Sequence, residues 1–349
     1  PAFVGLWLVA VLLDFVPTVD ERIAWQAYAT LSVSALRAVL VGVAAVASGE
    51  MEVILWVLLA VVAVKIGVLF AYVARYHGLG RPWFDRGLFN DHARHAFPFG
   101  VTSALFLLRS QADQWVAATL FALSSFAALS VAGIVGQGVH IFRHSVIEAF
   151  MPTMSRMQAA GDVRGVMEMN RRANAMVGLA LFPILAAGFA FADEAVGIVY
   201  TAAYLEAAPV IRLYVIGMLV MVIEVSSVLQ LLRQGVYAMK VYAGVLVVSV
   251  AGSIAGALTF GLTGAAAGSV IAVFIERAVT LRRVSRLTGI SLRELQSWRS
   301  LGWSLGTAAV AGAAAWSLAP EGNAFIRLFA GVAILAALYG ALNFRRFRR

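Results

Sequence analysis

Four basic residues interrupt otherwise apolar stretches of this sequence: Arg37, Lys65, Arg109 and Arg143. A cation at the centre of a hydrophobic helix costs about 2.5–3.5 kcal/mol, so each is expected to face a polar interior or a wet cavity. Guanidinium forks bind phosphate oxygens in pairs, which makes an anionic head group the natural occupant of such a cavity. His140 lies three residues before Arg143, and His144 and Glu148 continue much the same helical face. Blander arrangements compete at each position. Arg109 and Asp113 are four residues apart and could neutralise each other, Arg143 could pair with Glu148, and Lys65 could snorkel to the interface. Four different stretches placing cations at similar depth nevertheless favour a shared cationic cavity. Asp14, Asp113 and Glu224 are the deepest acids. Asp113 and Glu224 are candidates for a proton or cation site, and Glu224 is equally a candidate partner for a cavity cation.

Catalytic patterns are missing from the sequence. It contains no H-E-x-x-H pair, no glycine-rich phosphate loop closed by Lys-Ser/Thr and no nucleophile elbow. With no cysteine, disulfides and thiolate metal sites are excluded. A membrane glycosyltransferase would need acidic groups on sizeable external loops. Glu50, Glu52, Asp193 and Glu194 sit on connections too short to build one. The chemistry points to binding and transport without catalysis, cofactor or resident metal.

The elements that must position these residues follow from composition. Hydrophobic residues make up 62% of the 349 positions and charged residues 13%, about half the charged share of a soluble domain. So much apolar surface finds no soluble core to enter. Crossing a bilayer takes about 20 apolar residues, and the sequence offers eleven such stretches: 2–18, 25–47, 53–74, 97–122, 126–150, 174–192, 208–232, 240–259, 262–281, 300–318 and 324–343. The expected fold is an all-α polytopic bundle.

Charge alternates between the connections. One set holds 21 of the 27 basic residues, from Arg22 through Arg75, Arg81, Arg156, Arg172, Arg233, Arg277 and Arg282 to Arg348 and Arg349. The other carries Glu50, Glu52, Asp193, Glu194, Glu206 and Glu321 with only Arg212 and Arg327. Basic loops stay in the cytoplasm, so the first span is expected to run inward and the C-terminus to end inside. The formal charge of +9 is therefore a topology signal and not a nucleic-acid footprint. The stretch 291–300, SLRELQSWRS, is readable either as a short interfacial amphipathic helix or as a polar linker. Small residues recur through SVAGSIAGALTF and GLTGAAAGSVIA (249–272) at a spacing that lets helices approach closely in lipid. The chain opens on Pro1 with no signal segment, so it is expected to start inside a longer protein.

Several segments between residues 91 and 285 carry a family likeness. They are RSQADQWV with its intramembrane Asp113; EAFMPTMSRMQAAGDVRGVMEMNRRAN with its Pro-x-x-Ser-Arg and Gly-Asp turn; FPILAAGFAFADEAVGIVYTAAYLEAAPVIRLYVIG; and the Gly-Leu-x-Gly-Ala-Ala run at 261–266. Together they resemble the polysaccharide exporters of the MOP superfamily, the group that holds Wzx-type oligosaccharide flippases, lipid II flippases and MATE drug exporters. The resemblance implies two six-helix lobes related by pseudo-symmetry, here without the first three helices. It assigns 1–74 to a partial N-lobe, 75–95 to a cytoplasmic linker, 96–284 to the C-lobe, 285–299 to a second cytoplasmic linker, and 300–349 to two further helices and a basic tail. It also implies a bacterial inner-membrane location and outward flipping of a polyprenyl-pyrophosphate-linked oligosaccharide by alternating access. Arg37, Lys65, Arg109, His140 and Arg143 would hold the pyrophosphate. A lipid II-type or drug exporter, and an integral-membrane glycosyltransferase, are the alternatives. The implied partners are the lipid-linked oligosaccharide, membrane lipids and other polysaccharide-assembly proteins. Some relatives hold a coupling cation at positions that fall here on Asp113, Ser249, Ser253 and Ser269, where serine is a weaker ligand than Asn, Asp or Thr; H+, Na+ or the membrane potential all remain open as driving force.

Overall fold

The computed structural model describes residues 2–20, 22–78, 85–200 and 204–347, and all regular structure among them is helical. Arg81, Arg348 and Arg349, counted above among the basic connections, lie outside the described residues. The chain divides into two compact units, 1–86 and 87–349.

The first unit holds α1 (Ala2–Val19), α2 (Ile23–Ala47) and α3 (Met51–Tyr76), each packed on the other two. Its interior is small: Ala10, Leu13, Val61, Val62, Leu69 and Tyr72 are buried. Tyr28, Leu31, Val39, Val43 and Val46 stand exposed along α2. Apolar surface on that scale belongs against hydrocarbon or further helices, not water. Polar groups tie the three helices together. Asp14 on α1 accepts from Lys65 on α3 at 2.7 Å and from Thr30 on α2 at 3.3 Å. At the α1–α2 turn, Asp20 accepts from Tyr72 at 2.7 Å and meets His77 Nε2 at 2.8 Å, while Arg22 lies 3.6 Å from the Tyr76 ring centre.

The second unit contains α4 (Arg86–Ser110), α5 (Ala112–Leu120), α6 (Leu123–Ala159), α7 (Val163–Ala190), α8 (Ala192–Val199), α9 (Ala207–Met221), α10 (Ser226–Leu231), α11 (Gly235–Thr288), α12 (Trp298–Leu318) and α13 (Ala324–Phe347). Helices α6, α7 and α9 pack mutually around Leu181, Leu185 and Val215, α12 covers α7, and α13 covers α12 and α8. The Gly-Asp turn works as a helix start: Asp162 caps α7 by accepting from the Gly165 amide at 2.8 Å. On the opposite side to that turn, Arg212 pairs with Asp193 and Arg327 with Glu194 at 2.9 Å, which brings together charges assigned above to one set of connections.

Two expected spans are subdivided, and two others meet in a tight hairpin. The stretch 97–122 is α4 and α5 with a turn at Gln111, and 208–232 is α9 and α10 separated by non-helical backbone at Glu224 and Val225. The stretches 240–259 and 262–281 are two helical arms, labelled together α11, that fold back on each other at non-helical Gly261, with φ +65° and ψ −143°. That conformation is open almost only to glycine. The fold lays the two arms of α11 against each other. A methyl group on Gly268 would sit 2.1 Å from the Ser253 amide nitrogen, and one on Gly256 would sit 2.0 Å from the Gly264 carbonyl oxygen. Close packing is thus the role of the small-residue run. The segment 291–297 is a turn and not the interfacial helix considered above, because Leu295 and Gln296 are buried in the second unit. Leu295 enters the protein core, whereas Leu292 and Trp298 stay exposed.

Candidate functional site

In the first unit, Arg37 is exposed on α2 and Lys65 is half-buried on α3, where the Asp14 carboxylate neutralises it. Sequence reasoning placed Asp14 deep but gave it no partner. The seam between α1 and α3 supplies one.

In the second unit, Arg109 closes the last turn of α4 and is 4% exposed. It makes no ion pair among the described residues: its Nε has no hydrogen-bond partner, and its guanidinium carbon lies 5.3 Å from the Phe106 ring centre. The pairing with Asp113 considered from the four-residue spacing does not form. Such pairs need a continuous helix to stack the two side chains, and the turn at Gln111 lies between them. Asp113, also buried, is taken by α9, where the Tyr214 hydroxyl donates to it at 2.6 Å; its other oxygen accepts from the Gln114 amide at 2.9 Å.

Arg143 on α6 is buried and paired with Glu224. Glu148, the nearer acid in sequence, instead faces His144 at 3.3 Å on the exposed side. The break between α9 and α10 explains the choice. It points the Glu224 carboxylate inward, where it also accepts from the amides of Ser226 and Ser227. His140, one turn before Arg143, is half-buried with its ring 5.7 Å from Phe106 and 5.9 Å from His144.

Two further charges join this cluster: Arg277, which the sequence reading left among the cytoplasmic connections, and Glu276, which it did not single out. Glu276 and Arg277 on the second arm of α11 are both buried, and their charged groups are 3.8 Å apart. Tyr242 on the first arm donates to Glu276 at 3.1 Å and packs edge-on against Phe106. The Nε and Nη1 of Arg277 have no hydrogen-bond partner. The signal was present: both residues fall inside the apolar stretch 262–281, which a strict depth count would have flagged. Arg109 and Tyr242 both approach Phe106, Tyr242 contacts Glu276, and Arg143 contacts Glu224, so three buried cations, Arg109, Arg143 and Arg277, stand with two buried carboxylates, Glu224 and Glu276, in this unit. A buried guanidinium with unpaired donors is costly, and charge-assisted hydrogen bonds to an anion would offset that cost.

The three serines aligned with a coupling-cation site do meet. Ser249 and Ser269 are 3.1 Å apart, Ser253 and Ser269 3.4 Å, with Ser269 beside Asp113. The donor set does not fit a hard cation well. The hydroxyls satisfy one another, Tyr214 occupies one Asp113 oxygen, and no second carboxylate or carboxamide oxygen joins them among the described residues. Glu224, the other acid considered for such a site, is engaged by Arg143.

An all-helical membrane protein whose broken helices present buried charges has the build of a secondary transporter. The family model for lipid II flippase MurJ matches residues 24–331, and the chain belongs to that family. The solved structure titled lipid II flippase MurJ, inward closed conformation, superposes with a TM-score of 0.65 at 13% identity, covering 99% of this chain and 72% of that one. No curated protein sequence matches it. The family lies within the MOP superfamily and comprises multi-pass inner-membrane flippases of a lipid-linked cell-wall precursor, transporters and not enzymes. Of the superfamily branches weighed from sequence, the family model that matches is that of the lipid II flippases.

Proposed function

We propose that this chain moves lipid II outward across the inner membrane, holding its pyrophosphate head group on the buried guanidiniums of the second unit. The observation that carries this reading is Arg109, buried with a free Nε and no carboxylate partner among the described residues. A cation held that way is costly unless an anion visits it. Arg143 and His140 flank the same cluster; Arg37 and Lys65 are head-group contacts on sequence grounds alone. Asp113 with Ser249, Ser253 and Ser269 is the proposed coupling locus, without a bound metal. The C-terminus is placed in the cytoplasm by the basic connections, and the lobe assignment of residues 1–74 and 96–284 is retained as part of the proposal. An inside-negative membrane potential favours outward movement of a dianion, at about 2.3 kcal/mol per charge per 100 mV. Export of another polyprenyl-linked glycan, with polysaccharide-assembly partners, has no observation of its own in its favour.

The test is outward movement of labelled lipid II in proteoliposomes. Arg109→Gln is expected to retain folding and membrane abundance yet lose flipping by at least about tenfold. Unchanged flipping by an abundant Arg109→Gln protein would remove the head-group site from this cluster.

A further inference from the structure

Glu224 does two jobs at once, and their combination has a mechanical consequence. Its carboxylate holds Arg143 through a single Nη1 contact, while its other oxygen accepts from two backbone amides, Ser226 and Ser227. Its backbone, freed by the break between α9 and α10, is held by two buried asparagines of α7. The Glu224 carbonyl accepts from Asn170 at 2.9 Å and from Asn174 at 3.0 Å, and its amide donates to Asn174 at 3.1 Å. Those asparagines in turn grip the linker that precedes α12: Asn174 donates to Gln296 at 3.0 Å, and Gln296 donates to Asn170 at 3.3 Å. A continuous, fully buried hydrogen-bonded path therefore runs from Arg143 to the 291–297 turn.

We propose that Glu224 is a positioning residue that stands in for the substrate's pyrophosphate: it neutralises Arg143 while the site is empty and yields it when the head group arrives. The proposal rests on the head-group reading above. Arg143 can accept the exchange because its buried Nε has no partner, which leaves one donor of the fork for a phosphate while Glu224 holds a different nitrogen. Glu224 can let go because the Ser226 and Ser227 amides still solvate its charge. Release shifts the broken segment, and the shared asparagines pass that shift to Gln296. The linker thereby reports occupancy to the same side as the basic connections.

The chain's lack of cysteine makes the test clean. Protein in lipid nanodiscs is titrated with undecaprenyl pyrophosphate, and alkylation of a single cysteine at the buried Leu295 (Leu295→Cys) reads the linker. Glu224→Gln is expected to bind the probe about tenfold more tightly, and to expose Cys at 295 without probe as wild type does only with it. A merely structural Glu224 would give weaker or unchanged binding, and that result overturns the exchange. Arg143→Gln is expected to bind at least about tenfold more weakly. Unchanged binding there sinks the head-group reading itself; weakened binding in Arg143→Gln without tightening in Glu224→Gln sinks the exchange alone. Glu224→Asp keeps the charge on the Ser226 and Ser227 amides but shortens the reach to Arg143. Should Glu224→Gln fail to fold, Glu224→Asp gives the same two readouts: tighter binding supports the exchange and weaker binding overturns it.

Discussion

Tyr214 donates its hydroxyl to Asp113 at 2.6 Å, and Arg109, four residues before that carboxylate, stays unpaired across the turn at Gln111. This separation decides between two accounts of Arg109. If the two charges neutralised each other, removing both would be tolerated, because the penalty of a broken buried pair comes from the partner left behind. Since they do not touch, the double variant Arg109→Gln/Asp113→Asn is expected to flip lipid II no better than Arg109→Gln alone, at comparable membrane abundance. Recovery to near wild-type flipping would return the pair to a structural role.

The folded-back α11 depends on two glycines for different reasons. Gly261 occupies a backbone region other residues avoid, so Gly261→Ala is expected to cost about 1–3 kcal/mol of stability. Gly268 lies against backbone that cannot move aside, and Gly268→Ala is expected to cost a similar 1–3 kcal/mol by overpacking. Thermal unfolding in detergent reads both. The neighbouring Gly244, which meets nothing within 4 Å, is the control expected to tolerate alanine.

At the α1–α2 turn, hydrogen bonds from Tyr72 and His77 hold the Asp20 carboxyl below its ordinary value of 3.8, against a smaller opposing effect of burial. A depressed carboxylate stabilises the fold above its unfolded pKa, and the contribution disappears as pH falls through the folded value. The contact between this turn and the end of α3 is therefore expected to hold from neutral pH down to about 4 and to loosen below it. Hydrogen exchange at the His77 amide, compared between wild type and Asp20→Asn, checks this. The variant should be loose throughout, with no transition below pH 4; an identical acid transition in both proteins would assign it to another group.

The helical membrane class and the burial of Arg109, Arg143, Asp113 and Glu224 were legible in the sequence, because a charge inside a 20-residue apolar run has few places to go. Partnerships were legible only in part: Glu224 was a candidate partner for a cavity cation, and Arg143 takes it. Spacing suggested Arg109 with Asp113 and Arg143 with Glu148, but contacts between distant segments supplied Tyr214 and Glu224 instead. Nothing local announced the break at Glu224: the stretch reads as continuous apolar helix, and the carbonyl freed there is satisfied by asparagines about 50 residues earlier. Arg277 was misplaced for a different reason. Its neighbours Arg282 and Arg283 belong to a basic connection, and proximity in sequence outweighed its depth.

Lys65 offers the sharpest remaining distinction between structure and transport. Its ammonium is 2.7 Å from Asp14, which Thr30 also contacts, so this pair joins all three helices of the first unit. Lys65→Met strands the carboxylate and is expected to cost about 1–2 kcal/mol, less than the 3–5 of a fully buried pair because Asp14 keeps some solvent access. Membrane abundance should fall accordingly. The double variant Lys65→Met/Asp14→Leu removes both charges and leaves apolar side chains of similar size, so abundance should return. Flipping then separates the two roles. As a head-group contact, Lys65 is needed for transport even when the unit is intact, and the abundant double variant is expected to flip lipid II several-fold more slowly than wild type. Full recovery of flipping along with abundance would confine Lys65 to holding α1, α2 and α3 together, and would leave the guanidiniums of the second unit to hold the head group.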